Sequence, residues 1–218
     1  MQLDAAAKRS FAERFDAIRR LSTDSLMPDE DRWKASIKDL ALGDFLIFDN
    51  KTWVIRQIGK YYEFSDDFKK KKKYHWTELR MFAIETGEVR HIEWEIDDEL
   101  EIVVTSEKLD FSQLKDDEGE IIDEDDLDEI AENKWSILYE GTEYAYSDDY
   151  GAKYYPDCKS KAGDKLYLYD FLSKDKKMIT IEEWDSGSGD ETYEIYTSRS
   201  ASESEFEILT KGGNTGNG

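Results

Sequence analysis

The sequence WVIRQIGKYYEFSDDF, at residues 53–68, decides the fold because a similar sequence occurs a second time in the chain. Residues 135–150 read WSILYEGTEYAYSDDY and align with the first stretch without a gap, at a constant offset of 82 positions (135 − 53 = 150 − 68). In this alignment Trp53 meets Trp135, Gly59 meets Gly141, and both stretches end in Ser-Asp-Asp. The repeated pattern of alternating aromatic and polar residues predicts a duplicated β unit.

Strand-like segments follow the two copies in the same order. Apolar and polar residues alternate within residues 79–84, 89–96 and 100–104, and again within residues 166–171, 178–184 and 193–197. We therefore predict a mainly β protein with two tandem, similar antiparallel units of about five strands each, related by a pseudo-twofold axis and packed as a barrel or a sandwich. The predicted core contains Trp53, Ile55, Tyr62, Trp135, Ile137 and Tyr144.

Composition divides the chain into five segments. Residues 1–40 form an N-terminal helical segment, because Leu3, Ala7, Phe11, Phe15 and Ile18 recur at helical spacing. The first β repeat covers residues 41–115 and the second covers residues 133–210. Between them lies an acidic linker, residues 116–132, with a helical turn predicted near Leu127 and Ile130. Residues 211–218 are rich in Gly and Asn and are predicted to be a disordered tail.

The charge of the chain limits its partners. The formal net charge is −22, and the first 40 residues contain eight basic and eight acidic side chains, so the β body carries all of the excess. Such a surface repels phosphate backbones and favours a basic protein partner, which argues against nucleic acid. The sequence also has no apolar run near the ~20 residues of a transmembrane helix and no signal peptide at its start, so we expect a cytoplasmic protein.

No residue pattern predicts a catalytic, cofactor-binding or metal-binding site. One Cys and two His are too few for a zinc site, and the two Ser-Asp-Asp sequences are better explained as turns than as calcium ligands. Glu93, Glu95 and Asp97 lie on one face of a predicted strand, with Glu182 and Glu183 at the matching place in the second half, and a hydrolase could use such carboxylates beside Trp94 and Trp184. An exposed acidic face over an apolar one is the simpler explanation, and we predict that the protein is not an enzyme.

Two segments are candidate partner contacts. Phe11, Phe15 and Ile18 lie on the apolar face of the N-terminal helix, which could dock on the sheet, on a second copy of the chain, on a membrane surface or on a partner. Lys69, Lys70, Lys71, Lys72 and Lys73 form the only basic run of the β body, and they could be a solvated loop or an anion-binding contact.

Three short motifs resemble a known family. The sequence IKDLALGDF at residues 37–45, KTWVI at residues 51–55 and WTEL at residues 76–79 resemble the bacterial family called domain of unknown function 4178. The resemblance covers residues 37–210. It implies no established enzyme activity, no defined functional residues, and genes that lie near those of membrane-associated stress proteins.

We therefore predict a non-enzymatic binding or adaptor protein of a bacterial membrane-stress system, with a protein partner that is basic or membrane-associated. One alternative is a β-barrel that binds a small ligand such as a sugar or a lipid, and a cavity lined by Tyr and Trp would favour it. A second alternative is a hydrolase that uses strand carboxylates, and two converging carboxylates with raised pKa would favour it.

Overall fold

The computed structural model describes residues 5–21, 26–32, 34–65, 67–158, 162–185 and 191–212. Two helices come first: α1 is Ala5–Arg20 and α2 is Asp29–Arg32. The predicted helical spacing is therefore realised in α1, which ends with Arg19 and Arg20, where cations suit the helix dipole. Within the described residues, no helix combines the length and the apolar character that crossing a bilayer requires.

In the described part of the chain, eleven strands and one further α-helix follow. The elements in chain order are β1 Phe45–Phe48, β2 Lys51–Phe64, β3 Lys71–Ala83, β4 Val89–Ile96, β5 Leu100–Leu109, α3 Leu127–Asn133, β6 Ile137–Tyr139, β7 Thr142–Tyr155, β8 Asp164–Ser173, β9 Lys177–Asp185, β10 Glu191–Ser200 and β11 Glu207–Ile208. A two-residue turn joins the first two strands of each half. Asp49 and Asn50 connect β1 to β2, and Glu140 and Gly141 connect β6 to β7, with positive φ at all four residues. Such two-residue turns favour antiparallel hairpins.

The strands form one sheet whose hydrogen-bonded order is β11-β1-β2-β3-β4-β5-β10-β9-β8-β7-β6. A further pairing between β2 and β7, with Tyr61 opposite Tyr154, closes eight of these strands into an antiparallel barrel. The predicted mainly β fold is confirmed, and of the two predicted arrangements the protein adopts the barrel.

The chain divides into two compact units that differ from the tandem halves. Unit 1 contains residues 1–58, 78–102 and 201–218, and unit 2 contains residues 59–77 and 103–200. In unit 1, α1 packs through Ala17 against a cluster that includes Phe45, Val54 and Leu209. In unit 2, α3 packs through Leu127 and Ile130 against apolar residues of the strands; these are Ile137, Tyr144, Tyr169, Phe171, Ile179, Ile181 and Ile195.

The core prediction is correct at four of six positions. Trp53, Ile55, Ile137 and Tyr144 are buried, whereas Tyr62 is only half-buried. The buried ring belongs to Tyr61 instead, because neighbouring residues of a strand point to opposite faces. Trp135 was wrongly predicted as core: it is 49% exposed and lies before β6 begins.

The duplication is not confirmed in the alignment that the sequence predicts. The first half contains the five strands β1–β5 and the second contains the six strands β6–β11. The first hairpin turn begins at Asp49 and its counterpart at Glu140, an offset of 91 positions (140 − 49) rather than 82. Gly59 consequently lies inside β2 while Gly141 lies in a turn. The Ser-Asp-Asp sequences differ as well, since the first follows β2 whereas the second lies inside β7, next to a bulge.

The acidic segment 116–132 packs against the barrel. The predicted helical turn is present as α3, and Ile122, Leu127 and Ile130 are buried. The proposed segment boundaries otherwise stay predictions. In the predicted C-terminal tail, Lys211 forms an ion pair with Asp39 at 2.8 Å, and residues 213–218 lie outside the described residues.

Candidate functional site

Unit 2 contains a cavity of about 770 Å³ between α3 and the strands β8, β9 and β10. Fourteen of the residues that the structure describes line it, and eight of these are Asp or Glu. Three tyrosines, Tyr167, Tyr169 and Tyr193, and the ring of Phe68 supply aromatic surface. Among the described residues that line the cavity there is no lysine and no arginine. The cavity is therefore both strongly acidic and aromatic.

One wall of the cavity comes from α3 and the turn before it. Asp123 caps this turn by accepting a hydrogen bond from the backbone N–H of Asp125 at 3.0 Å. Leu127 and Ile130, three residues apart, face the core, so Asp128, Ala131 and Glu132 face the cavity. Glu124 and Asp125 complete this wall, and the helix thus presents carboxylates on one side and apolar residues on the other.

The other wall is the row Tyr167, Glu183 and Tyr193. Tyr167 on β8 pairs with Glu183 on β9, and Glu183 pairs with Tyr193 on β10. Residues that are directly paired across neighbouring strands have side chains on the same face. Glu183 is therefore flanked by a tyrosine on each side, and all three residues line the cavity.

Tyrosine hydroxyls bond the carboxylates of both walls. The hydroxyl of Tyr169 lies 3.3 Å from Asp128 Oδ1 and 3.2 Å from Glu183 Oε2. Because a hydroxyl has only one proton to donate, it cannot satisfy both carboxylates at once. Tyr193 donates to Glu191 Oε2 at 3.3 Å, and Tyr167 donates to Asp149. These bonds fix the rings in place but add no positive charge.

The pKa values of the cavity residues reflect this lack of positive charge. Burial raises the pKa of Glu183, and the charges of Glu191 and Asp128 raise it further, although the hydrogen bond from Tyr169 opposes them. Burial also raises the pKa of Tyr169 and that of Tyr193, and in both residues the charge of Glu183 adds to the effect. Each shift favours the form with less negative charge, so a bound cation would be stabilised here.

Carboxylates elsewhere in the protein have cationic neighbours. In unit 1, burial acts to raise the pKa of Glu88, but hydrogen bonds from Lys51 and Arg90 outweigh burial and lower that pKa.

At the edge of the cavity, Lys165 Nζ lies 3.3 Å from Asp185 Oδ2 and 5.6 Å from the ring centre of Phe68. This lysine shows that a cation can be held by a carboxylate and an aromatic ring together at this edge.

The predicted contact face of the N-terminal helix is divided. Phe15 and Ile18 are 55% and 53% exposed, whereas Ala17 is buried in unit 1. Arg14 holds the helix in place by donating hydrogen bonds to the carbonyl oxygens of Ile84 and Glu85, at 2.6 and 2.7 Å. The side chain of Phe11 lies outside the described residues.

The lysine run is not a simple loop, because Lys71, Lys72 and Lys73 begin strand β3 and only Lys69 and Lys70 precede it. Lys69 Nζ lies 3.0 Å from Asp67, and Lys72 Nζ lies 2.6 Å from Glu63. Lys71 Nζ lies 3.1 Å from the ring centre of Tyr62. Three of the five lysines therefore already contact an acidic or aromatic neighbour. None of the five is among the described residues that line the acidic cavity.

The strand carboxylates singled out by the sequence do not act as one group. Glu182 and Glu183 point to opposite faces of β9: Glu183 lines the cavity, whereas Glu182 is buried 3.1 Å from the indole nitrogen of Trp184. In the described part of the chain, His, Cys, Asp and Glu side chains form no group of three or more with a geometry suited to a metal ion.

Sequence reasoning missed most of the cavity. Tyr167, Tyr193 and Asp128 were not singled out, and Glu183 was considered only as a hydrolase carboxylate. One available signal was the spacing of Asp128, Ala131 and Glu132, which defines a helix face opposite Leu127 and Ile130. The pairing of Tyr167, Glu183 and Tyr193 could not be recognised from sequence spacing, because the three residues lie on three different strands.

Comparisons with known proteins support the resemblance noted in the sequence. The model of the family described as domain of unknown function (DUF4178) matches residues 41–203, about three quarters of the chain. Searches of curated proteins and of solved structures found no significant match. Because the family model matches well over half of the sequence, this chain belongs to the family of domain of unknown function DUF4178.

Proposed function

We propose that this protein is a non-enzymatic binding protein whose unit-2 cavity takes a positively charged segment of a partner protein. The observation that carries the proposal is the composition of the cavity: eight carboxylates and three tyrosines line about 770 Å³, with no lysine or arginine among the described lining residues. Carboxylates supply attraction over a distance, and tyrosine rings supply contact surface for a cation.

Electrostatics explains why a cation is the preferred ligand. Burial and neighbouring carboxylates raise the pKa of Glu183, so its ionised form is less favourable in this cavity than in water. A cation placed beside Glu183 and Asp128 would reverse this effect, because an opposite charge within a few ångströms favours the ionised form. Binding energy would thus come from carboxylates such as Glu183, because no lysine or arginine is among the described residues that line the cavity.

The wider setting of this function belongs to the same proposal. The resemblance to the family suggests a membrane-stress system. A small organic cation is the small-ligand alternative that this cavity supports, because its walls carry negative charge as well as aromatic surface. Comparing a basic peptide with a free amine would separate these two ligands.

Peptide binding tests the cavity directly. Calorimetry with a short peptide of lysine and serine should show binding, whereas a peptide of glutamate and serine should not bind. The double variant Asp128→Asn with Glu183→Gln should weaken binding about tenfold, because two of the carboxylates that line the cavity lose their charge. The control Asp97→Asn with Asp98→Asn removes the same charge from an exposed turn in unit 1 and should change binding less than twofold, which is about the size of a rim-charge effect.

The two charge variants separate binding in the cavity from a general attraction to the acidic protein. Both variants lower the total negative charge equally, so a purely long-range attraction would weaken to the same extent in both. Equal loss of affinity in the two variants would exclude the cavity as the binding site.

The helix α1 supports a second contact with a partner. Ala17 is buried and Arg14 donates a hydrogen bond to the carbonyl oxygen of Ile84, so this side of the helix is packed. Phe15 and Ile18 on the other side are exposed. Truncation would remove the docked side as well, so the double variant Phe15→Ser with Ile18→Ser is the sharper test. A co-purifying partner should be lost from this variant but kept by Val89→Ser with Ile96→Ser, which alters two exposed apolar residues of β4.

A further inference from the structure

We propose that the cavity recognises an alkylammonium group, either a lysine side chain or its methylated form, held between Tyr167 and Tyr193 above Glu183, and that it prefers this group to a guanidinium. The inference rests on the proposed function, since it assumes that the cavity binds a cation. It adds the chemical class of the group that enters and the residues that select it.

Strand pairing fixes the distance between the backbone positions that carry the two tyrosines. Tyr167, Glu183 and Tyr193 occupy paired positions on three neighbouring strands, β8, β9 and β10. Neighbouring strands lie about 4.8 Å apart, so the backbones that carry the two tyrosines are about 10 Å apart. Both tyrosines and Glu183 line the cavity, so a compact cation that enters beside Glu183 has one tyrosine on each side.

Other contacts hold the two rings in position. Tyr193 packs edge-on against Phe111, with ring centres 5.5 Å apart, and its hydroxyl is bonded to Glu191. Tyr167 lies against Tyr169, with ring centres 5.2 Å apart, and its hydroxyl is bonded to Asp149. Donating a hydrogen bond to a carboxylate also increases the electron density of a phenol, and this strengthens its attraction for a cation.

The hydrogen bonding of Glu183 disfavours a guanidinium. Arginine binds a carboxylate best through two parallel hydrogen bonds, one to each oxygen. Glu183 Oε2 lies 3.2 Å from the hydroxyl of Tyr169, so one of the two acceptor positions of this oxygen is used when Tyr169 donates to it, and a two-point contact has fewer ways to approach. An ammonium group needs only one oxygen and acts as a compact charge.

Methylation of the ammonium should be tolerated. A trimethylated ammonium has no N–H group to donate, but it keeps its charge and presents methyl groups to the aromatic rings. A site made of carboxylates alone would bind a trimethylated ammonium more weakly than an unmodified one, because the trimethylated group cannot donate hydrogen bonds. The two tyrosine rings instead retain such a group, and they are what gives this cavity selectivity among cations.

The test uses the full chain and three peptides that are identical except at one central position, which holds lysine, trimethyllysine or arginine. All three peptides carry the same charge. We expect trimethyllysine to bind at least as tightly as lysine, and arginine to bind about fivefold more weakly than either. Calorimetry or fluorescence anisotropy would measure the three affinities.

Variants assign the selectivity to the two rings. Tyr193→Leu and Tyr167→Leu should remove the difference between the peptides, whereas Tyr193→Phe keeps the ring and should retain it. Tyr74→Leu, which alters an exposed tyrosine of β3, is the matched control and should also retain it. Circular dichroism would establish that each variant is folded, and Tyr193→Phe compared with Tyr193→Leu supplies the result if Tyr167→Leu does not fold.

The outcomes separate this inference from the proposed function. If arginine binds as tightly as lysine and the tyrosine variants change nothing, while Asp128→Asn with Glu183→Gln still weakens binding about tenfold, the inference is wrong and the proposed function stands. If none of the three peptides binds, both are wrong.

Discussion

The ring of Tyr154 on β7 lies directly against Gly59 on β2, so closely that a Cβ atom at position 59 would be 2.3 Å from the ring carbon Cε2. The two strands are paired here, with Tyr61 opposite Tyr154. Tyr154 also packs against the rings of Tyr61 and Trp184. Glycine at position 59 is therefore what allows this part of the barrel to close.

Gly59→Ala should lower the free energy of unfolding by about 2 kcal/mol, because the added methyl group must push the ring of Tyr154 out of a packed cluster. Urea denaturation would measure the change. Gly151→Ala is the control, since a Cβ there would be 3.2 Å from the ring of Phe68 and the ring has to move only slightly. Equal losses in the two variants would mean that the contact with Tyr154 is not the cause.

Leu127→Ala should lower the free energy of unfolding by about 3 kcal/mol, because Leu127 is buried and its loss leaves a cavity beneath α3. The measurement is again urea denaturation. Ile121→Ala removes an exposed apolar side chain from the same acidic segment and should have little effect. If Leu127→Ala is as mild as this control, the acidic segment is not packed against the barrel.

Asp170→Asn should raise the melting temperature near neutral pH. Burial raises the pKa of Asp170 above the usual 3.8, despite hydrogen bonds from Thr180 and Tyr150, and the charge of Asp148 adds to the rise. With a raised pKa in the folded state, the stabilising contribution of Asp170 is fully present below pH 3.8 and is lost as the pH rises through the folded-state pKa.

The advantage of Asn over Asp should therefore shrink as the pH is lowered through the raised folded-state pKa towards 3.8, because Asp170 in the folded protein becomes protonated over this range. Melting curves across this range would measure it. Asp175→Asn changes an exposed residue between β8 and β9 and should show no such trend. A constant difference between wild type and Asp170→Asn at every pH would contradict the explanation.

Binding of a lysine peptide should weaken as the pH falls through the raised pKa of Glu183. Burial and the charges of Glu191 and Asp128 place this pKa above the usual 4.5. Below it Glu183 is protonated and no longer attracts a cation, so affinity is highest above it. In Glu183→Gln the affinity should be lower and should lose this part of its pH dependence. An unchanged pH profile in that variant would show that another group controls binding.

The sequence by itself determined the type of structure. Alternating residues in segments such as 79–84 and 100–104 predicted strands, short turns predicted antiparallel pairing, and the spacing around Leu127 and Ile130 predicted a helical turn. These features are local: each depends on residues a few positions apart, and such patterns are readable in one chain. The resemblance to the family rested on short motifs of the same kind.

Only the tertiary structure decided which residues meet. The sequence alignment placed Trp135 in the core and gave Tyr62 the position that Tyr61 occupies, because a shift of one residue turns a strand side chain to the other face. The cavity depends on pairings between strands and on α3 covering one face, which bring Asp128, Glu183 and Tyr193 together. Such pairings are set by the packing of the whole sheet, and no local period in the sequence encodes them.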